Sequence, residues 1–393
     1  MLCKNTNTER YFSTIKNISS KFLDELSCSE SLYFHPDYLY SLEKNNPQIT
    51  FTYIILTNEN ERAIALAILQ IIDFPLAKIE SSLNQNFHNL KCFGRKLGMF
   101  PKLKPIKLLV CGNIFVSGEH GVFIKKDQNK QLVFKMLAKA ITQIVNKNKA
   151  LSKDISVYLV KDFVKDSLPD LNVLHGANYA SFTVEPNMVL TINESWTCFQ
   201  DYLDSLKTKF RIKAKRALKL SSDLVVKDSS AENIKAIIPE ITQLYQKVVE
   251  NATFNLGNFN VATYISLKKK LGDNYIVKTY WADHKLVGFM SGMITNNSLD
   301  AHFVGIDYSL NKELAIYQRM LYDYVAIAIN KNLKTINFGR TASEIKSSVG
   351  AVPQDLTCYI RHKKSLTNTF LKPFLNYIEP KPFKQKYPFK TTT

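Results

Sequence analysis

Hydrophobic residues in the first half of the chain form short, dense runs that predict a strand-rich block. Two such runs, at 51–57 and 63–74, flank the polar segment 58–62, which predicts an antiparallel hairpin. Three further elements of this block are strands: a pair at 107–124, one at 155–163 and an extended segment at 179–192. Apolar positions spaced by three and four predict a helix over 132–147.

The second half repeats this order of elements, although no identity between the halves is evident. Apolar residues at helical spacing predict one long helix over 196–220. Two apolar runs around the turn ADHK predict a hairpin over 274–295. The remaining predicted elements are helices at 234–251, 315–330 and 343–350, and strands at 298–307, 334–341 and 356–363.

The element order divides the chain into segments. At roughly 100–200 residues per domain, 393 residues predict two or three domains. We expect a polar leader at 1–30, a first domain at 31–193, a second domain at 194–370 and a basic, proline-containing tail at 371–393.

Charge and cysteine content narrow the function classes. The net charge of +18 indicates anionic partners, although 44 of the 52 basic residues are lysine, which equally fits a compositional bias. The six cysteines have no metal-ligand spacing, and the N-terminus has no secretory signal, so we expect a reduced, cytoplasmic protein without a metal. No apolar run is long enough to span a bilayer. Serine hydrolase, zinc hydrolase and P-loop motifs are all missing.

Three segments carry a resemblance to a known family: YFHPDYLYSLE at 33–43, the segment at 184–217, and the stretch from HFVGID to INFGRTASEIKSSVGAVPQDLTCYIRH. They resemble the FemAB-like branch of the GNAT acyltransferases, in which two GNAT-like domains stand in tandem. The last stretch, which ends near His362, also resembles uncharacterised peptidoglycan biosynthesis/recognition proteins. The resemblance implies an α+β (mixed α/β) fold with two tandem GNAT-like domains, each a mixed central sheet flanked by helices.

The same resemblance implies an N-acyltransferase. It would move an acyl or aminoacyl group from acyl-CoA or acetyl-CoA, a carrier protein or aminoacyl-tRNA to an amine-bearing small molecule or cell-envelope precursor. The loop of CoA-dependent GNATs is glycine-rich, because its N–H groups cradle a pyrophosphate. The equivalent segment 309–318 has no glycine, so the donor stays open. The alternative is a non-catalytic GNAT-like module that binds RNA or anionic lipid.

Candidate catalytic residues follow from their places in this fold. His302 lies in the strand that would hold the donor carbonyl, where a neutral imidazole can accept a proton. A half-buried, inert histidine is the competing interpretation. Glu344 is a candidate base and Arg340 a candidate anion ligand; an ion pair between them that caps a short helix explains both equally well.

Candidate donor-binding residues lie at the start of the helix predicted over 315–330. Lys312 can neutralise a phosphate, although Glu313 opposes an anion. Tyr317 can protonate a leaving group or belong to the core. The full set is Lys312, Leu314, Ala315, Ile316 and Tyr317.

Two basic segments are candidate contact surfaces. Between Lys207 and Lys219, seven basic residues occur without an acidic one, and Lys207, Arg211 and Lys215 form a stripe for a tRNA, a carrier protein or a phosphorylated acceptor. A solvated helix face is the alternative. The segment 91–107 is a candidate lid or peripheral membrane contact, or an ordinary surface loop.

Overall fold

The computed structural model describes residues 8–74, 106–252, 256–295, 297–375, 380 and 382–390. The chain forms two compact units. The first unit comprises Met1–Glu185, Thr253–Asn258 and Asp355–Pro380, and the second comprises Pro186–Ala252, Phe259–Gln354 and Lys381–Thr393. The predicted domain boundaries at 30, 193 and 370 stay predictions. In the described ranges no helix is long and apolar enough to cross a membrane.

Both units contain strands and helices. The strands are β1 (Thr8–Phe12), β2 (Thr50–Thr57), β3 (Ala63–Phe74), β4 (Ile106–Cys111), β5 (Val122–Ile124), β6 (Ile155–Phe163), β7 (Ala180–Thr191), β8 (Val225–Asp228), β9 (Tyr275–Ala282), β10 (Lys285–Ile294), β11 (Ser298–Ile306), β12 (Thr335–Asn337) and β13 (Val352–His362). The helices are α1 (Ser20–Leu26), α2 (Pro36–Asn45), α3 (Lys130–Lys147), α4 (Lys149–Asp154), α5 (Leu168–Leu171), α6 (Val173–Gly176), α7 (Phe199–Ser205), α8 (Thr208–Leu220), α9 (Ala231–Ala236), α10 (Ile238–Asn251), α11 (Thr263–Leu271), α12 (Tyr308–Leu314), α13 (Ile316–Asn330), α14 (Ser343–Ser348) and α15 (Ser365–Leu375). Short 3-10 helices occur at Ile15–Asn17, Cys28–Glu30, Leu32–Phe34, Lys165–Ser167 and Gly272–Asn274.

The first unit is built on a mixed sheet in the order β1-β2-β3-β4-β6-β13. The predicted hairpin of β2 and β3 is confirmed. The predicted pairing within 107–124 is wrong, because β4 and β5 each pair with β3 instead of with one another. β1 pairs with β2, so the predicted leader contributes a strand. The apolar face of α3 packs on this sheet and closes the core.

A buried polar cluster lies in the loop after β4 and on β6. The Lys161 and Asp162 side chains are 4% and 0% exposed and form an ion pair. The Lys161 ammonium also donates to the carbonyl oxygens of Asn113 at 2.9 Å and Val116 at 2.8 Å. Burial, and then the Lys161 charge, lower the pKa of His120 to about 3, so this imidazole is neutral at physiological pH. The cluster therefore fixes the loop by charge-assisted bonds in the interior.

The second unit contains a mixed sheet in the order β7-β12-β11-β10-β9-β8. Neighbouring strands are antiparallel except for β11 and β12, which are parallel. The predicted hairpin of β9 and β10 is confirmed. The helix α13 supplies much of the core against this sheet, including Ile316, Met320 and Val325, all 0% exposed.

The long helix predicted over 196–220 is wrong, because the structure has two helices, α7 and α8. Leu206, between them, has an extended backbone (φ −73°, ψ 141°) and forms a β-bridge with Phe389. The Lys207 N–H donates to the Pro388 carbonyl at 2.8 Å instead of continuing the helix. Helical spacing alone does not reveal this break, because the competing partner lies far along the chain.

The second predicted helix, over 234–251, is also divided. α9 ends before Ile237 and α10 begins at Ile238, with Pro239 in its first turn. Proline lacks an N–H and is tolerated there, but not in a helix interior. The structure also contains helix α11 and helix α12, which the periodicity did not predict.

Residues 382–390, named here the C-terminal strap, belong to the second unit and pack against the rest of it. The Lys386 N–H donates to the Ser347 hydroxyl at 3.1 Å, and the Gln385 amide donates to the Ala351 carbonyl at 3.0 Å. The Phe389 ring lies 5.3 Å from that of Trp196. Gly350 leaves room for this ring, since a Cβ atom there would come within 3 Å of it. The tail predicted to wrap or to be loose thus wraps over this stretch.

Candidate functional site

The parallel strands of the second unit diverge partway along their length. β11 and β12 pair only from Ser298↔Thr335 to Asp300↔Asn337, and β11 then continues to Ile306. The chain after β12 stays with β7, because the Phe338 N–H donates to Met188 at 2.9 Å. The predicted strand over 334–341 is much shorter than expected, because the backbone turns left-handed at Gly339 (φ 69°). The result is a strand edge on β11 without a β12 partner in the described residues.

A β-bulge lies on β11 at the start of this edge. Met290 of β10 faces Val304 and Gly292 faces Ala301, so His302 and Phe303 together oppose Ser291. The Ser291 hydroxyl donates to the Phe303 carbonyl at 2.8 Å. Bulges bend a strand and re-aim its side chains, and they are enriched next to active sites.

His302 is held within a group of aromatic rings. Its Nδ1 lies 3.2 Å from the Tyr275 hydroxyl, whose donor or acceptor role depends on the imidazole tautomer. Ring centroids of Phe259 and Phe303 lie 5.1 Å and 4.2 Å from that of His302. The half-buried imidazole is thus oriented by a phenol and by packing against aromatic rings.

The predicted donor segment is folded as helix α12 and not as a loop. Ala315, between α12 and α13, has a left-handed backbone (φ 46°), which non-glycine residues adopt uncommonly. The Asn311 side-chain oxygen accepts from the Tyr317 N–H at 2.9 Å, which caps α13. Lys312 is exposed, Leu314 is half-buried, and Ala315 and Ile316 are buried. Burial raises the pKa of Tyr317, so its phenol stays protonated.

This geometry differs from the open, glycine-rich helix start that cradles a CoA pyrophosphate. Such a cradle needs free N–H groups at the start of the helix, and the chain's own Asn311 occupies that of Tyr317. The left-handed position that a glycine would fill holds Ala315.

A strained loop follows β12. Gly339, Thr341 and Ala342 have left-handed backbones, with φ of 69°, 65° and 50°. For a β-branched residue such as Thr341 this conformation is an outlier, and such strain clusters at functional sites. The Lys346 side chain is buried, and its ammonium donates to the carbonyl oxygens of Gly339 at 3.2 Å and Arg340 at 2.6 Å. Lys346 therefore ties the loop to α14.

Arg340 lies within this loop, and Glu344 follows it in the first turn of α14. Glu344 is exposed, and its carboxylate pairs with Lys386 of the C-terminal strap at 2.7 Å. The hydrogen bond from Lys386 lowers the pKa of Glu344. Arg340 is half-buried. The structure thus gives Glu344 an ion-pair partner in the C-terminal strap, whereas His302 lies at the bulge of β11. The catalytic and anion-binding roles predicted for His302, Glu344 and Arg340 stay predictions.

The three residues predicted to bind anions differ in their surroundings. Lys207 donates to the Tyr387 carbonyl at 3.1 Å, and Arg211 lies 3.8 Å from Asp204 in an ion pair. Lys215 is exposed. The predicted stripe is therefore partly engaged within the protein. The basic segment 91–105 lies outside the described residues.

Sequence reasoning assigned no role to three residues that shape this site. Tyr275 orients His302, Asn311 caps α13, and Lys346 holds the strained loop. The one sequence signal for the role of Lys346 is its position on the predicted helix 343–350, where a side chain would face the protein interior. The described residues hold no group of three or more His, Cys, Asp or Glu side chains suited to a metal ion.

Comparison with solved structures identifies the fold of this chain. No protein-family model and no curated protein matches the sequence. FemX superposes with a TM-score of 0.52 and 10% identity over 85% of this chain and 93% of that one. The tandem GNAT protein from the clavulanic acid biosynthesis pathway superposes with a TM-score of 0.50 and 7% identity over 90% and 98%. The chain has the tandem GNAT fold.

L-PGS from Bacillus licheniformis has a similar fold, with a TM-score of 0.51 and 11% identity over 90% of this chain and 96% of that chain. The three comparisons confirm the predicted mixed α/β fold and the FemAB-like and GNAT resemblance at the level of fold. At these identities they establish fold alone, and function is argued from the site.

Proposed function

We propose that the second unit transfers an acyl or aminoacyl group to an amine. The observation that carries this proposal is the divergence of β11 from β12 with a bulge at His302 and Phe303. A donor laid along the open edge of β11 places its carbonyl oxygen near backbone N–H groups, which stabilise negative charge as it develops. Holding amine and carbonyl together supplies much of the remaining acceleration.

The reaction is a nucleophilic substitution at the donor carbonyl. The amine nitrogen attacks the carbonyl carbon, and the C=O electron pair moves to oxygen. Collapse of this intermediate re-forms the C=O bond and expels the leaving oxygen of an ester donor. His302, oriented by Tyr275, takes the proton from the attacking nitrogen and returns it to the leaving oxygen.

We infer that the donor is an aminoacyl ester, as in aminoacyl-tRNA, and not a CoA thioester. The Asn311 cap on α13 supports this, and so does the FemAB-like resemblance, since enzymes of that kind take aminoacyl groups from tRNA. An amine-bearing cell-envelope or lipid precursor as acceptor belongs to the same proposal, supported by the fold shared with FemX and L-PGS.

Thermal-shift titration with acetyl-CoA and free CoA tests the donor class. We expect no rise in melting temperature with either ligand, because α13 is already capped. A bound ligand at about 100 times its dissociation constant would stabilise the protein by about 2.7 kcal/mol, which is readily seen. A rise that Lys312→Glu abolishes would contradict the aminoacyl-ester donor. Lys331→Glu, at the exposed far end of α13, is the control for charge alone.

A further inference from the structure

The outward face of α8 carries unpaired cations around one exposed aliphatic side chain. At 100° per residue, four basic residues fall within about 60° of Ile212: Lys209, Lys215, Arg216 and Lys219. All four are exposed and, within the described part of the chain, have no ion pair. Ile212 itself is 62% exposed, although a packed helix normally buries such a residue. The opposite face, with Ala214 and Ala217, packs into the core.

A second exposed aliphatic side chain lies at the end of the helix. Leu220 is 41% exposed. Aliphatic and cationic groups thus share one surface about 20 Å long.

We propose that this surface, named here the α8 face, docks on an anionic membrane surface. Lysine and arginine near such a surface each contribute about 1 kcal/mol of binding. Aliphatic side chains insert at the boundary between headgroups and acyl chains. The α8 face presents both kinds of group along a straight helix.

The composition of the α8 face favours lipid over nucleic acid. A single-stranded RNA site uses aromatic platforms for base stacking, and α8 exposes no aromatic residue of its own. Phosphate recognition in fixed geometry favours arginine, whereas three of the four cations around Ile212 are lysine. An exposed isoleucine adds nothing to phosphate contacts. This inference does not depend on the transfer reaction.

Vesicle co-sedimentation of the full chain tests the docking surface. We expect binding to phosphatidylcholine vesicles that contain phosphatidylglycerol, no binding to phosphatidylcholine alone, and weaker binding at high salt. The triple variant Lys209→Gln, Arg216→Gln, Lys219→Gln should bind roughly 100-fold more weakly. The matched control removes three exposed lysines from α3 (Lys135→Gln, Lys139→Gln, Lys147→Gln) and should bind far more like the unmodified protein.

A single substitution separates membrane insertion from charge attraction. Ile212→Ser should lower vesicle affinity roughly tenfold, because the lost group is aliphatic. Leu132→Ser, at a 46% exposed leucine on α3, should leave it unchanged. Brominated lipid should quench the fluorescence of Ile212→Trp more than that of the unmodified protein, which tests insertion should the triple variant fail to fold.

Two results would overturn the proposal. One is vesicle binding by the triple variant equal to that of the unmodified protein. The other result has two parts: Ile212→Ser keeps the vesicle affinity of the unmodified protein, and the triple variant loses tRNA binding in a gel-shift assay. Together they would make the α8 face an RNA-binding surface.

Discussion

Lys161→Met is expected to lower the free energy of unfolding by about 3–5 kcal/mol. The substitution keeps most of the aliphatic stem but removes the ammonium that pairs with Asp162 and donates to two backbone carbonyls. The Asp162 carboxylate would then be a fully buried charge without its counter-ion. Urea denaturation followed by circular dichroism measures the loss.

Two variants control this prediction. In the double variant Lys161→Met, Asp162→Asn no charge remains, and asparagine tolerates the left-handed backbone at 162 (φ 70°), so a smaller loss is expected. Lys165→Met, at an exposed lysine just after β6, should change stability by no more than about 0.5 kcal/mol. Equal losses for the single and the double variant would contradict a role for the buried charge pair.

Lys346→Met is expected to destabilise the second unit by about 2 kcal/mol and to release the strained loop after β12. The Arg340 carbonyl loses a charge-assisted hydrogen bond of 2.6 Å, and the left-handed conformations of Thr341 and Ala342 lose the tie to α14. The substitution also removes the cost of burying a charged ammonium group, and this offsets part of the lost stability. Hydrogen exchange of amides 339–343 measures the release directly.

Hydrogen exchange of the loop amides is the decisive measurement for Lys346→Met. Faster exchange confined to 339–343, with the α13 amides still protected, is the expected pattern. Lys334→Met, at an exposed lysine just before β12, should alter neither stability nor exchange. Unchanged exchange in Lys346→Met would show that the loop holds its conformation without the lysine.

Local sequence signals predicted much of the fold. Alternating and continuous apolar runs located β2, β3, β6, β9, β10 and β11 to within two residues. Such signals work because each strand buries its own side chains, so the pattern of apolar and polar positions lies within the strand's own sequence. The order of these elements carried the GNAT resemblance that the structure confirms.

The failures arise where a distant partner competes for the backbone. The break at Leu206 depends on Phe389, and the first strand, β1, depends on pairing with β2. None of these partners is near in sequence.

The candidate site shows the same limit at the level of chemistry. His302 could be proposed from its place in a strand, but its partner Tyr275 lies on another strand. The absence of glycine in 309–318 raised the question of the donor, yet the Asn311 cap that supports the proposed donor is seen only in the folded structure of α12.

Amine-dependent release of the amino acid from radiolabelled aminoacyl-tRNA is the most direct test of the central claim. With hydroxylamine as the acceptor amine, the full chain should accelerate release, and His302→Asn should slow the catalysed reaction by roughly 10²–10⁴-fold. His284→Asn, in the exposed turn between β9 and β10, should retain full activity. Release no faster than without protein, or equal rates for His302→Asn and His284→Asn, would contradict the proposed transfer at the bulge of β11.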